Sequence, residues 1–245
     1  MKKQILILAI TFTAGAFFSC SKEKIETQQT NNSEEIATVA SRPVPTGNLD
    51  KGLRCLYEFN NNLKDKTGKL NDAVTGAGNV PVYTADRKGR RLSAMKFEGK
   101  FGATIFDVPL STKMSLAVWV KYDSASSIIK PIAYGSSGGP GSLQVNDEYI
   151  GYNSNNADNW IGSGAMDNQW HHLVITMDAV NLTFYVDGNI VGSKLRQGDA
   201  GLTISNYYAG GNGFSIFWSG VMDDLRIYGR ILTVSEVQNL YNVYN

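Results

Sequence analysis

Alternation of apolar and polar positions dominates the chain from residue 53 onward. In 53–59, Leu53, Cys55, Tyr57 and Phe59 alternate with Arg54, Leu56 and Glu58. In 114–122, Met114, Leu116, Val118, Val120 and Tyr122 share one side, and Ser115, Ala117, Trp119 and Lys121 share the other. In 170–178, Leu173, Ile175 and Met177 oppose His172, Val174 and Thr176. A period of two marks a strand, because successive side chains leave opposite faces. The run 182–187 ends in Asp187-Gly188 and the pattern resumes over 190–195, which predicts a two-residue hairpin. Further strands are expected over 92–98, 103–108, 128–134, 142–146, 148–153, 201–208 and 214–228. Only 233–243 carries helical spacing, with Thr233 or Ser235 as N-cap and Val237, Leu240, Tyr241 and Tyr244 on one side. Ten or more short strands and one short C-terminal helix predict an all-β chain folded as a two-sheet antiparallel β-sandwich.

The first 48 residues break that pattern. Lys2 and Lys3 precede an uncharged run from Ile5 to Phe18, shorter than the ~20 apolar residues a membrane span needs. The run ends in Phe17-Phe18-Ser19-Cys20, which resembles the lipobox of Bacteroidetes-type lipoproteins. The resemblance implies a signal peptide over 1–19 and lipid on Cys20, although Phe18 stands where a small residue is usual. An ordinary signal peptide with an incidental cysteine is the alternative. Residues 21–48 are rich in Ser, Thr, Asn, Gln and Glu and cannot bury enough surface to offset their ordering entropy, so 20–48 reads as a lipidated cysteine and a flexible linker. The Ser-Lys-Glu-Lys after Cys20 resembles a surface-export signal. It implies an outer-membrane lipoprotein at the cell surface, with a periplasmic orientation as the alternative. If Cys20 carries lipid, Cys55 has no partner and is expected to be a small buried hydrophobe. A disulfide between them is the other possibility.

Composition narrows the functional classes. Of 245 residues, 25 are Gly and 12 are Tyr, whereas 18% are charged, which excludes a highly charged helical or disordered chain. The segment 49–245 carries 18 basic and 18 acidic residues. That neutrality removes the electrostatic case for nucleic acid, which needs a concentrated basic face. Two His and two Cys are too few for a Cys/His structural zinc site or a three-histidine catalytic one.

Three ordered motifs then resemble laminin-G-like, concanavalin A-like jelly rolls. They are Met114-Ser-Leu-Ala-Val-Trp119-Val-Lys121; Trp170-His171-His172-Leu173-Val174 with Phe184-Tyr185-Val186-Asp187-Gly188; and Phe217-Trp218-Ser219-Gly220 through Tyr228. The opening Leu56-Tyr57-Glu58-Phe59 also fits, so the resemblance covers nearly all of 49–245. It implies that Trp119, Trp170 and Trp218 fill strand positions. It further implies a structural Ca2+ near the first and last strands, with Asp65, Asn71 and Asp72 on one side and Asp223 and Asp224 on the other. Turn-capping and ion-pairing by these residues is the alternative.

Glycosidases of this fold need two carboxylates across the sugar. The Glu-x-Asp-x-Glu type of motif is absent, and the domain's glutamates, Glu58, Glu98, Glu148 and Glu236, are far apart in sequence, so no catalytic residue is assigned. His171 and His172 point to opposite faces if both lie on a strand, so they cannot share a metal. The glycine-rich stretches Gly135–Gly141 and Gly210–Gly213 do not lead into helices, as a phosphate loop would. Trp160 lies outside the strand motifs, among Asn and Ser. Tyr149, Tyr152, Tyr207 and Tyr208 flank other Asn/Gly-rich stretches. Aromatic rings stack on the C–H faces of sugars while amides read hydroxyls, so these five are the candidate ligand-binding residues. Closing the ends of the sandwich is their alternative role. Asp123-Ser124-Ala125 resembles an O-glycosylation acceptor. The expected function is noncatalytic binding of a glycan or glycoconjugate. The alternatives are a protein-binding adhesion or assembly component, and a divergent glycosidase or lyase.

Overall fold

The computed structural model describes residues 48–109, 111–123, 130–135, 142–145, 149–154, 157–162, 165, 167–196, 204–211 and 217–244. Cys20, Ser124 and most of the two glycine-rich stretches lie outside them. In chain order the strands are β1 (Leu53–Tyr57), β2 (Val74–Thr75), β3 (Val82–Thr84), β4 (Ala94–Glu98), β5 (Ala103–Pro109), β6 (Met114–Tyr122), β7 (Lys130–Gly135) and β8 (Ser142–Val145). They continue with β9 (Tyr149–Ser154), β10 (Ala157–Gly162), β11 (Trp170–Met177), β12 (Asn181–Val186), β13 (Asn189–Leu195), β14 (Ile204–Ala209) and β15 (Ser219–Tyr228), and the helix is α1 (Val234–Tyr244).

The strands form two antiparallel sheets. The larger runs β13-β12-β11-β6-β15-β4-β3, with β1 also on β15; the smaller runs β10-β9-β8-β7-β14-β5-β2. The apolar positions read from the sequence meet between them. Cys55, Tyr57, Met95, Phe97, Leu116, Val118, Leu173 and Phe184 from the larger sheet pack with Ile105, Val108, Leu143, Ile150, Tyr152 and Tyr207 from the smaller. Cys55 is a free, fully buried thiol, and burial raises its pKa. Asp187 and Gly188 both have positive φ, 50° and 78°, which is the primed turn that the Asp-Gly pair favours. At the opposite edge of that hairpin, β13 approaches β10 so closely that a Cβ on Gly192 would sit 2.5 Å from Ile161.

The outer face of the larger sheet is also covered. Ala117, Val174, Tyr185 and Tyr228 pack under Leu232, Val237 and Leu240. Thr233 is the N-cap: its Oγ1 accepts from Glu236 N at 3.2 Å, and Glu236 Oε2 accepts from Thr233 N at 2.9 Å, a reciprocal capping box. Arg230 grips the same carboxylate at 2.7 and 2.8 Å. Trp119 lies in this outer layer, its ring 5.0 Å from His172 and 5.5 Å from Tyr241.

Candidate functional site

The five aromatic candidates separate according to the pleat. Tyr152 and Tyr207 are 0% and 1% exposed and belong to the sandwich core, so neither can meet a ligand. Tyr149 is exposed, Trp160 and Tyr208 are half-buried. Trp160 is on β10, the edge strand, opposite Gly151 of β9. Its indole lies flat on that glycine, where a Cβ would come within 2.3 Å of the ring.

Tyr208 lies elsewhere. It pairs with Thr104 across β14 and β5 and lines a cleft of about 200 Å3 together with Phe101, Phe217, Asn79 and Lys100. Gly102 makes the cleft possible: a Cβ there would come within 2.6 Å of the Ala209 carbonyl, so only glycine lets 101–102 lie against β14. Phe217 is held by a bridge to Gly211. The side-chain amide of Asn79 and the hydroxyl of Thr104 have no hydrogen-bond partner among the described residues. Three rings, an amide and a hydroxyl therefore converge on one opening, and no carboxylate lines it among the described residues. Phe101, Phe217 and Asn79 escaped the sequence reading. Their one signal was an aromatic set between Lys100 and Gly102, outside any alternating run.

The residues proposed for Ca2+ belong to two separate networks. Asp65 accepts five protein hydrogen bonds: from the backbone N of Leu56 at 2.9 Å, Thr67 at 3.1 Å, Lys69 at 3.0 Å and Leu70 at 2.9 Å, and from Thr67 Oγ1 at 2.7 Å. Burial alone would raise its pKa, but these donors hold it below the ordinary value. Asn71 offers its carbonyl to Tyr57 Oη at 2.8 Å, and Asp72 accepts from Asp65 N at 3.3 Å. At the last strand, β15 bulges between Asp223 and Arg226, and Asp224 has φ 49°. The bulge breaks the two-residue alternation, so adjacent carboxylates both reach Arg87: Nη1 donates to Asp223 Oδ2 and Nη2 to Asp224 Oδ2, the latter at 2.9 Å. Burial and the neighbouring Asp224 carboxylate push Asp223 upward, and Arg87 opposes them. Calcium needs six to eight free oxygens. Here the oxygens face donor hydrogens, and no group of three or more acidic, His or Cys residues suited to a metal occurs among the described residues. The arrangement does not fit the ion.

His171 and His172 diverge as adjacent strand residues must. His172 is buried beneath Trp119, and burial together with Arg226 lowers its pKa to about 3. His171 lies between two carboxylates, with Nδ1 2.7 Å from Asp187 and Nε2 2.9 Å from Asp167. Asp187 chiefly, then Asp167, raises its pKa to about 8 against the cost of burial. The contribution is present in full below about pH 6.5 and is lost as pH rises through about 8. Discounted for partial exposure, it amounts to ~1 kcal/mol. Chemical denaturation of the wild type should show that loss between those pH values, and His171→Gln should flatten the profile; an unchanged slope in the variant would sink the assignment.

Comparison with known proteins agrees with the architecture. Domain 4 of an extracellular GH43 arabinanase from Geobacillus stearothermophilus, solved with arabinotriose, has a TM-score of 0.66 at 22% identity and covers 77% of this chain and 98% of that one. A botulinum neurotoxin type C structure, described by the dependence of its cell entry on two ganglioside molecules, has a TM-score of 0.64 at 12% identity, over 81% of this chain and 52% of that one. A Trypanosoma rangeli sialidase gives 0.56 at 20% identity, over 78% and 32%. At these identities the likeness is one of fold. No curated protein matches the chain. Residues 99–238 match the laminin-G model of the concanavalin A-like lectin/glucanases superfamily, more than half of the sequence, and the chain belongs to that family.

Proposed function

We propose that the domain is a noncatalytic carbohydrate-binding module and that its ligand seats in the Tyr208 cleft. The observation that carries this reading is the convergence of Tyr208, Phe101 and Phe217 with two unpartnered polar groups, Asn79 and Thr104, around one opening. Rings supply stacking area at low entropic cost and the polar groups orient hydroxyls. A glycosidase needs paired carboxylates across the sugar. Among the described residues the cleft has none, and Glu58 and Glu236 are ion-paired with Lys66 and Arg230. The arabinotriose bound by one protein of similar fold, and the ganglioside on which cell entry of another depends, support the ligand class. Titration calorimetry with arabinotriose, then with hits from a glycan array, tests the assignment. Tyr208→Ala and Phe101→Ala should each weaken binding by ~10-fold or more. Full affinity in both variants, with loss in Trp160→Ala, would move the site to the Trp160–Tyr149 edge.

The same proposal includes the amino-terminal segment. Cys20 would carry lipid after removal of 1–19, with 20–48 as tether and the outer-membrane surface as location. The charged start, the apolar run and the cysteine at its end support it. Cys20→Ala should abolish labelling by a palmitate analogue and release the protein from the membrane fraction; persistent labelling would refute the lipid site.

A further inference from the structure

A second opening lies at the other end of β5. From Thr104, in the Tyr208 cleft, to Pro109 the strand advances ~17 Å at ~3.3 Å per residue. Pro109, Leu53 and Leu70 wall a cleft of about 300 Å3, and Arg54 and Lys69 bring two positive charges into it. The chain places Arg54 there by a bulge. Leu53 pairs with Tyr228 and Cys55 with Ile227, so Arg54 is left without a partner in the ladder and its side chain is re-aimed. Its guanidinium lies flat on Gly229, where a Cβ would meet Nε at 2.2 Å and Nη2 at 2.4 Å. Nε is buried with no hydrogen-bond partner among the described residues. Neither terminal nitrogen bonds to any described residue, and no described carboxylate pairs with Arg54 or Lys69. Lys69 donates Nζ–H to the Leu53 carbonyl at 2.6 Å, and it lines the same cleft as Arg54.

Nearby acids do not neutralise the pair. Asp65 takes the backbone N–H of Lys69, not its ammonium, and is saturated by its other donors. Asp50 lines a neighbouring cleft and not this one. A planar fork with an open edge, an ammonium alongside and apolar walls match a carboxylate attached to a ring of C–H groups. We propose that the cleft between Arg54, Lys69 and Gly229 binds the carboxylate of an acidic sugar residue.

The site is separate from the Tyr208 cleft, so the two readings fail independently. The test is calorimetry of the full chain with trigalacturonate, against a neutral galactose trisaccharide and inorganic sulfate. Trigalacturonate should bind more tightly than either, and its affinity should fall as salt is raised, because the contact is ionic. Arg54→Gln should weaken binding by ~10-fold or more, since it removes charge-assisted hydrogen bonds. Gly229→Ala should act in the same direction by displacing the guanidinium. Thermal melts check folding of each variant, and Lys69→Gln, on an exposed side chain, provides a second charge deletion if Arg54→Gln is unstable. Trigalacturonate affinity that does not fall with salt, equal affinity for sulfate, or full affinity in both charge deletions would overturn the proposal.

Discussion

Arg87→Ala is expected to lower stability by about 3–5 kcal/mol, because it strands the buried Asp223 carboxylate and leaves Asp224 only its longer, 3.6 Å ion pair to Arg226. The Arg87 side chain is 3% exposed, and those of Asp223 and Asp224 are 2% and 7%. Its guanidinium also lies 4.6 Å from the centre of the Trp119 ring, so its loss removes a cation–π contact as well. Arg87→Lys should recover only part of the loss, since an ammonium cannot fork to two carboxylates. The deficit should shrink as pH falls. Burial and the neighbouring Asp224 carboxylate already raise the Asp223 pKa against the pull of Arg87, and without Arg87 it rises further, so the variant's relative stability is greatest at low pH and is lost as pH rises through that value. Urea denaturation of the three proteins at acid and neutral pH reads both effects. A deficit under ~1 kcal/mol, or one that does not vary with pH, would show that the carboxylates are not held by Arg87.

Trp119→Ala should cost a similar ~3–5 kcal/mol, although the ring lies outside the sandwich core. It is 2% exposed and fills the outer layer between His172, Tyr241 and Arg87. Removing it opens a cavity under α1, so the helix amides should exchange with solvent faster than those of β11. Trp160→Ala should cost much less, because its half-buried indole rests on the edge-strand backbone at Gly151. The Trp119 and Arg87 losses should not add, since the two side chains touch. Equal destabilisation by both tryptophan variants would place Trp160 in a core layer.

Much of the fold was legible because burial on one side imposes a period of two. The runs in β6, β11 and β12 follow it nearly to the residue, and Asp187-Gly188 and Thr233–Glu236 declare a hairpin and a helix start by local chemistry. The site was harder to read. Tyr152 alternates with Gly151 and shares its face with Ile150, so strand periodicity already assigned it inward; the amide-rich neighbourhood outweighed that signal. Adjacent Tyr207 and Tyr208 cannot both face outward on one strand, and Tyr208 proved the outer one. The strand β10, Ala-Asp-Asn-Trp-Ile-Gly, has too few apolar residues to declare itself, since an edge strand buries little. Arg87 and the bulges at Arg54 and Asp224 were hidden for a different reason. They depend on which segments meet, and the partners of Arg87 lie far along the chain.

The position of β15 governs how the domain must assemble. This last strand is bordered by β6, β4 and β1, so three earlier strands wait for it before their backbone groups are paired. Loop-closure entropy is spent before those long-range contacts repay it, which makes such topologies slow, ~milliseconds to seconds or longer. Until residues 219–228 arrive, a nascent chain exposes open strand edges rich in Val, Leu and Met. Refolding should therefore show a single late step in which β1, β4 and β6 gain protection together with β15, and a chain cut before Ser219 should aggregate and form no smaller stable sandwich.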